Sequence, residues 1–172
     1  MLPHLDAAYS LAYWLTRDRA DAEDAVQEAF LRAMRFFGTF HGEDGRPWLL
    51  RIVRNACYEM LGRIQRAATS ELDEDSIDPA ALAAGTVVVL PVNPEAAAIA
   101  RANRDQVHRG LRELPHEFRE ALVLRELQGC SYREIAAISG VPIGTVMSRL
   151  SRGRRLLREK IAGSVRREDT GT

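Results

Sequence analysis

The chain has 172 residues, of which 46% are hydrophobic, and its 24 basic residues balance 24 acidic ones. This composition predicts a globular protein with a buried core, and the absence of a charged-then-apolar leader or of an apolar run of about 18 residues predicts a soluble, cytoplasmic chain. Two distant cysteines and four scattered histidines exclude a disulfide framework and give no metal site, catalytic constellation or cofactor; Cys57 and Cys130 are predicted to be small buried core residues.

Strand-type runs are nearly absent, so we expect an all-α fold. After a first short helix, the spacing predicts a second helix over 21–37 with Asp21 as its N-cap. Its predicted buried stripe consists of Ala22, Val26, Ala29, Phe30, Ala33, Met34 and Phe37. Leu31 lies outside that stripe among polar residues, which by itself indicates a solvated helix side with one exposed leucine.

Aromatic residues then gather around glycines, at Phe36, Phe37, Phe40 and Trp48. We expect most of these rings to be buried, although aromatic rings beside arginines could also stack unpaired bases above a cationic groove. A third helix follows. The side opposite its apolar stripe displays Arg51, Arg54, Asn55, Tyr58 and Glu59.

Residues 66–93 differ from their surroundings and predict a domain linker. They contain an acidic run over 71–78 and one short strand-like run over 86–90. Charge is unevenly distributed around this segment: residues 1–63 hold 8 basic and 9 acidic groups, residues 64–100 hold 1 and 6, and residues 101–172 hold 15 and 9. A basic C-terminal part behind an acidic connector indicates a nucleic-acid partner.

Residues 131–160 predict a helix-turn-helix that follows a helix over 94–112 and a second one after Pro115. Ser131 and Glu134 form a capping box, Gly140 allows a tight turn, and Pro142 suits the start of the second helix. Because Val146 and Leu150 must face inward, the residues predicted to meet bases are Thr145, Ser148, Arg149 and Arg152. Those further along, predicted to meet phosphates, are Arg154, Arg155 and Arg158. An ordinary helical hairpin with a solvated basic side is the alternative.

Four motifs, within 21–33, 48–55, 114–124 and 131–150, resemble in order those of the ECF (extracytoplasmic-function) bacterial sigma factors. The resemblance implies two all-α domains: a sigma-two bundle at 1–65 and a sigma-four domain at 94–165, with a disordered tail at 166–172. It implies no catalytic activity. A free-standing helix-turn-helix regulator that binds duplex DNA as a dimer is the second hypothesis, against which the N-terminal motifs argue.

The resemblance also implies partners and site residues. The second helix would dock on the β′ clamp of core RNA polymerase, the second domain would meet the β flap, and an anti-sigma factor is expected. The implied polymerase-binding residues are Asp24, Gln27, Glu28, Leu31 and Arg32. Those implied to read and open the −10 element of promoter DNA are Trp48, Arg51, Arg54, Asn55, Tyr58 and Arg63. The helix-turn-helix would read the −35 element.

Overall fold

The computed structural model describes residues 4–40, 44–70 and 94–169. All the regular elements in this part of the chain are helical, which confirms the all-α prediction. They are α1 (Leu5–Thr16), α2 (Arg19–Phe36) with a short 3-10 turn (Phe37–Thr39), α3 (Gly45–Ser70), α4 (Pro94–Arg112), α5 (His116–Leu122) with a π-helical turn (Val123–Leu127), α6 (Tyr132–Ser139) and α7 (Ile143–Asp169). Among these helices none is long and apolar enough to cross a membrane.

Helices α1, α2 and α3 form the N-terminal half. Small residues such as Ala12, Ala22 and Ala29 are fully buried between them and allow close helix packing. The predicted cap of α2 was wrong by three residues: Asp18 is the N-cap, and its carboxylate accepts a hydrogen bond from the backbone N–H of Asp21 at 2.9 Å. Asp18 has the extended backbone of an N-cap, whereas Asp21 already lies in the first helical turn.

The end of α2 departs from the predicted burial. Met34 and Phe37 were expected in the core but are 60% and 59% exposed, and Phe36 is 55% exposed. The residues that α2 buries are four alanines and one valine, and Phe30 is half-buried against the same core, whereas the side chains at the end of the helix are left uncovered. Phe40 and Trp48 do pack together, with ring centroids 5.0 Å apart, and both are half-buried.

Two predicted boundaries differ from the structure. Helix α3 continues to Ser70, past the predicted end of the first domain, and α7 continues to Asp169, so that residues 166–169 are helical rather than part of a disordered tail. The start of α4 at Pro94 agrees with the prediction. The rest of the predicted linker, with its acidic and strand-like runs, and residues 170–172 lie outside the described residues.

Helices α4 to α7 form the C-terminal half, and the predicted helix-turn-helix signals are present. Both hydrogen bonds of the capping box between Ser131 and Glu134 form, and Gly140 has a φ of 67°, in the left-handed region that glycine tolerates. Gly153 is buried against α5: a Cβ there would meet a methyl of Leu122 at 3.2 Å. A side chain at this position would therefore push α7 away from its support.

The two halves pack against each other. Helix α6 contacts α3, and α5 contacts α1. Trp14 on α1 meets His108 on α4 edge to face with ring centroids 5.1 Å apart. Arg46 at the start of α3 donates to the backbone oxygen of Gln128 at 2.5 Å and to its side-chain oxygen at 3.0 Å. The arrangement is closed, with polar contacts that join residues far apart in the sequence.

Candidate functional site

The surface assigned to polymerase binding lies on the solvent side of α2. Asp24, Gln27 and Leu31 are exposed, and Leu31 exposes 49% of its surface beside the exposed Met34. Met34, which the helical spacing assigned to the buried stripe, is exposed and enlarges the apolar part of this surface beyond a single leucine. Two adjacent large apolar side chains on one helix side are less ordinary than one.

Arg32 has a more structural position than the other members of this set. Its Nε donates to Glu28 at 2.7 Å and its terminal nitrogen lies 2.7 Å from a carboxylate oxygen of Glu59 on α3. Hydrogen bonds to these carboxylates raise the pKa of Arg32, and the partner Arg32 lowers the pKa of Glu59. Arg32 therefore ties α2 to α3.

The residues assigned to the −10 element follow one side of α3, but only part of that side is open. Arg51, Asn55 and Arg63 are exposed, whereas Trp48 is half-buried against Phe40. Arg51 and Asn55 are one helical turn apart and so lie next to each other on the surface. The remaining two members, Arg54 and Tyr58, face the C-terminal half.

Arg54 and Tyr58 are both bound to Glu120 of α5. The Nε of Arg54 donates to one carboxylate oxygen, its terminal nitrogen lies 3.4 Å from the other, and the Tyr58 hydroxyl donates to that second oxygen at 3.2 Å. The Arg54 guanidinium also lies 4.6 Å from the centre of the Tyr58 ring. Glu120 is 1% exposed, so these two residues supply the hydrogen bonds that a buried carboxylate needs.

Burial controls the ionisation of the groups around this contact. It raises the pKa of the Tyr58 hydroxyl, with the negative charge of Glu120 as the second cause, so Tyr58 stays protonated and donates. Burial also lowers the pKa of the neighbouring Arg119 to about 10. In the same region burial raises the pKa of the Cys57 thiol to about 12. Cys57 and Cys130 are both buried, as predicted, and Cys57 is a neutral core residue.

The residues assigned to the −35 element divide into two groups on α7. Ser148 and Arg152 are exposed, whereas Thr145 and Arg149 are half-buried. Between the start of α5 and α7 lies a shallow cleft of about 430 Å³. It is lined by His116, Glu117, Phe118, Thr145, Ser148, Arg149 and Arg152. Two arginines, a histidine and two hydroxyls could meet a phosphate or a base edge there, but the carboxylate of Glu117, 3.5 Å from His116, opposes an anion at that end of the cleft.

The three arginines further along α7 are exposed but not equivalent. Arg154 forms an ion pair with Glu126 of the π-helical turn at 2.8 Å. Arg158 donates to the backbone oxygen of Arg154 at 3.3 Å, and Arg155 lies 3.8 Å from Glu159. Arg155 and Arg158 could therefore bind a phosphate and give up only weak contacts, whereas Arg154 would have to break its ion pair with Glu126.

Several residues that were not predicted from the sequence lie at the contact between the halves and on α7. Glu120 and Gln128 are buried polar groups at the contact between the halves, and the signal for Glu120 was a carboxylate inside the apolar run of α5. On α7, Ile143 and Met147 are 42% and 54% exposed outside the buried stripe. Within the described residues no group of three His, Cys, Asp or Glu side chains is placed to hold a metal ion.

Comparison with known proteins identifies both halves. Residues 2–67 match the family Sigma-70 region 2, and residues 104–157 match Sigma-70, region 4. The chain is 38% identical over 148 residues to the ECF RNA polymerase sigma-E factor of Escherichia coli, covering 86% of this chain and 77% of that protein. It is also 38% identical over 159 residues to the ECF RNA polymerase sigma factor SigE of Mycolicibacterium smegmatis, covering 92% of this chain but 59% of that longer protein.

Among solved structures, the fold is similar to the sigma factor RpoE in complex with the anti-sigma factor NepR from Bartonella quintana. The TM-score is 0.76 at 29% identity, over 94% of this chain and 93% of that one. CnrH, in complex with the cytosolic domain of CnrY, shares the fold at 24% identity with a TM-score of 0.64. Two helical halves that match regions 2 and 4 define the sigma-70 class of proteins. The chain belongs to the ECF RNA polymerase sigma factors.

Proposed function

We propose that this chain binds core RNA polymerase and directs it to promoters by recognising the −10 element with α3 and the −35 element with α7. It supplies base recognition and strand separation and has no catalytic centre of its own. Unstacking a base costs about a few kcal/mol, and contacts between the protein and the extruded base would offset this free-energy cost of melting.

The observation that supports this proposal best is the pairing of two different DNA-type surfaces in one chain. On α3, Arg51 and Asn55 lie exposed near the Phe40–Trp48 pair, a combination of cations, an amide and rings that suits an unpaired base. On α7, exposed arginines follow small polar residues, a combination that suits duplex DNA. A protein that read only duplex operators would have no use for the first surface.

The closed arrangement adds a condition to this function. Arg54 and Tyr58 cannot contact DNA while they hold Glu120, so the full −10 surface becomes available only when α5 leaves α3. The polymerase-binding surface on α2 contains none of the residues that join the halves. Polymerase could therefore dock on α2 first, and opening could follow.

An anti-sigma factor would act by opposing that opening. RpoE of Bartonella quintana was solved with the anti-sigma factor NepR, and its likeness to this chain extends over both halves together. We propose by analogy that an anti-sigma factor binds the closed form of this chain and stabilises the contact between α5 and α3. The β flap of polymerase would compete by taking the C-terminal half.

Run-off transcription with core RNA polymerase and the full chain tests the proposal. The templates would come from a library of duplexes randomised over the −35 and −10 regions and selected with the assembled holoenzyme. Specific transcripts that require the chain are expected, and Asn55→Ala should reduce them while the protein still binds polymerase. Tight binding of duplex DNA as a dimer, without polymerase and without transcription, would favour the free-standing regulator instead.

A further inference from the structure

The first two turns of α7 expose apolar surface where a recognition helix meets bases. Met147 is 54% exposed and Ile143, one turn earlier, is 42% exposed. Neither belongs to the buried stripe of the helix, in which Val146 and Leu150 are each 1% exposed. Residues 143–148 include no charged side chain, and the arginines begin at Arg149.

The position of Met147 places it at the base-reading end of the helix. In helix-turn-helix proteins the N-terminal residues of the second helix contact base edges in the major groove. Met147 is the direct neighbour of Ser148, which is exposed and whose hydroxyl is turned back onto the Thr145 backbone oxygen at 2.9 Å. Successive residues of a helix point about 100° apart, so Met147 lies beside Ser148 on the exposed part of the helix, towards Ile143.

The chemistry of a thioether limits what Met147 can recognise. It cannot donate a hydrogen bond, and covering a donor or acceptor on a base edge without replacing its water bonds is unfavourable. The apolar group that the major groove offers is the C5 methyl of thymine. A flexible, polarisable side chain can follow the shape of such a methyl group.

We infer that Met147 is a specificity-determining residue that selects thymine at one position of the −35 element through contact with its C5 methyl group. Ile143 lies beside it, one helical turn towards the start of α7, and extends the same apolar surface. This inference rests on the proposed function, because it needs α7 to enter the major groove. It also separates two roles on the helix: the apolar start reads thymine, and the exposed Arg152 reads the acceptor pair of guanine.

The test uses holoenzyme assembled from core RNA polymerase and the full chain. Duplexes selected from a pool randomised over the −35 region supply the target, and each thymine in turn is replaced by deoxyuridine, which lacks only the methyl group. Binding is compared by competition for the parent chain, for Met147→Ala and for Met147→Leu. Leu127→Ala is the matched control, since Leu127 is also an exposed apolar residue, at 47%, but lies off α7 in the π-helical turn.

We expect one deoxyuridine to weaken binding of the parent by about fourfold, the effect of one methyl group taken out of water. Met147→Ala should lose this sensitivity, whereas Met147→Leu and Leu127→Ala should keep it. Unchanged deoxyuridine sensitivity in Met147→Ala overturns the inference, and so does a parent that ignores every methyl group.

Two further outcomes would also overturn it, for different reasons. If Met147→Ala fails to assemble with core polymerase although its helicity is normal, the exposed apolar surface binds protein rather than DNA. If the parent holoenzyme enriches no −35 sequence from the pool, the proposed function fails and takes this inference with it. If a −35 sequence is enriched but its binding does not depend on thymine methyl groups, only the role of Met147 is refuted and the proposed function stands.

Discussion

Arg54 of α3 and Glu120 of α5, 66 residues apart in the chain, form an ion pair across the contact between the two halves. The side chain of Glu120 is 1% exposed and that of Arg54 20% exposed, so the carboxylate depends on this partner and on Tyr58. A buried charge that keeps its partner is tolerated, but the same charge left alone is strongly unfavourable. Opening of the halves therefore has to rehydrate Glu120 while it releases Arg54, which we propose then contacts DNA.

Glu120→Gln should loosen the closed form. The amide keeps the shape but removes the charge that holds Arg54, and we expect the free energy of unfolding to fall by about 1–3 kcal/mol, as for other buried partners left unsatisfied. The radius of gyration measured by small-angle X-ray scattering should rise as well. Glu117→Gln is the control: its carboxylate is on the same helix but is 34% exposed beside His116, and exposed pairs contribute little. Equal effects of the two variants would refute a specific role for Glu120.

The two open residues of α3 should affect promoter opening without affecting closure. Arg51→Ala and Asn55→Ala change exposed side chains for which no contact with the C-terminal half is seen among the described residues, so we expect lower run-off transcription and an unchanged radius of gyration. Arg54→Ala should change both, because it removes a proposed DNA contact and an observed partner of Glu120. Permanganate reactivity of thymines near the −10 element would measure the melted state. A larger radius for Asn55→Ala would contradict this division of the helix.

The parts of this structure that were predictable are those that depend on local pattern. Apolar spacing and the capping box determine where α6 and α7 begin, and Gly140 marks the turn, because these signals act within a few residues. The start of α4 followed from Pro94 in the same way. The N-cap of α2 was misplaced since Asp18 and Asp21 are both good caps, and the sequence does not show which of them has the extended backbone.

The parts that could not be predicted depend on contacts between distant residues. Nothing near Arg54 shows that its partner is Glu120, and an arginine on a helix surface is equally suited to DNA or to a carboxylate. Burial of Met34 and Phe37 was wrongly predicted because helical spacing gives the direction of a side chain but not whether a neighbouring element covers it, and both residues lie exposed at the end of α2. Arg32, similarly, had a partner on α3 that its own helix could not reveal.

The exposed apolar surface of α2, formed by Leu31 and Met34, should control binding to core RNA polymerase. Leu31→Asp combined with Gln27→Ala places a charge in the centre of the exposed surface, and we expect association to weaken by at least about tenfold, as for a hot-spot residue. Helicity and melting temperature should stay near those of the parent, since Leu31 is 49% exposed. Leu5→Asp, which alters another exposed leucine on α1, is the control. Normal pull-down of core polymerase by the double variant would show that docking occurs elsewhere.

The packing of α4 on α1 should weaken in acid. Burial lowers the pKa of His108 from its ordinary value of 6.5, and the nearby Arg104 and Arg112 lower it further against the opposing Asp105. Below pH 6.5 His108 therefore binds a proton in the unfolded chain but less readily in the folded chain. The free energy of unfolding decreases as the pH falls through this range. Fluorescence of Trp14 during urea unfolding above and below pH 6.5, in a Trp48→Phe background that leaves Trp14 as the single tryptophan, would measure the loss. His108→Phe keeps a ring against Trp14 without a titrating group, so any pH dependence left in it must come from other residues.

Salt dependence should separate the arginines of α7 by role. Arg152 is exposed beside the cleft at the start of α5, so Arg152→Ala should relax base preference at one or two −35 positions, at about 1–3 kcal/mol of discrimination. Arg158 lies further along the helix, so Arg158→Ala should weaken binding to all sequences alike and lower the slope of log K against log salt by about 0.9. Arg154→Ala should have a smaller effect on the slope than Arg158→Ala, because Arg154 already pairs with Glu126 at 2.8 Å. These slopes would be measured with holoenzyme on single-base promoter variants at several salt concentrations. If all three variants lost affinity uniformly, these arginines would bind only the DNA backbone, and the bases of the −35 element would have to be read by other residues.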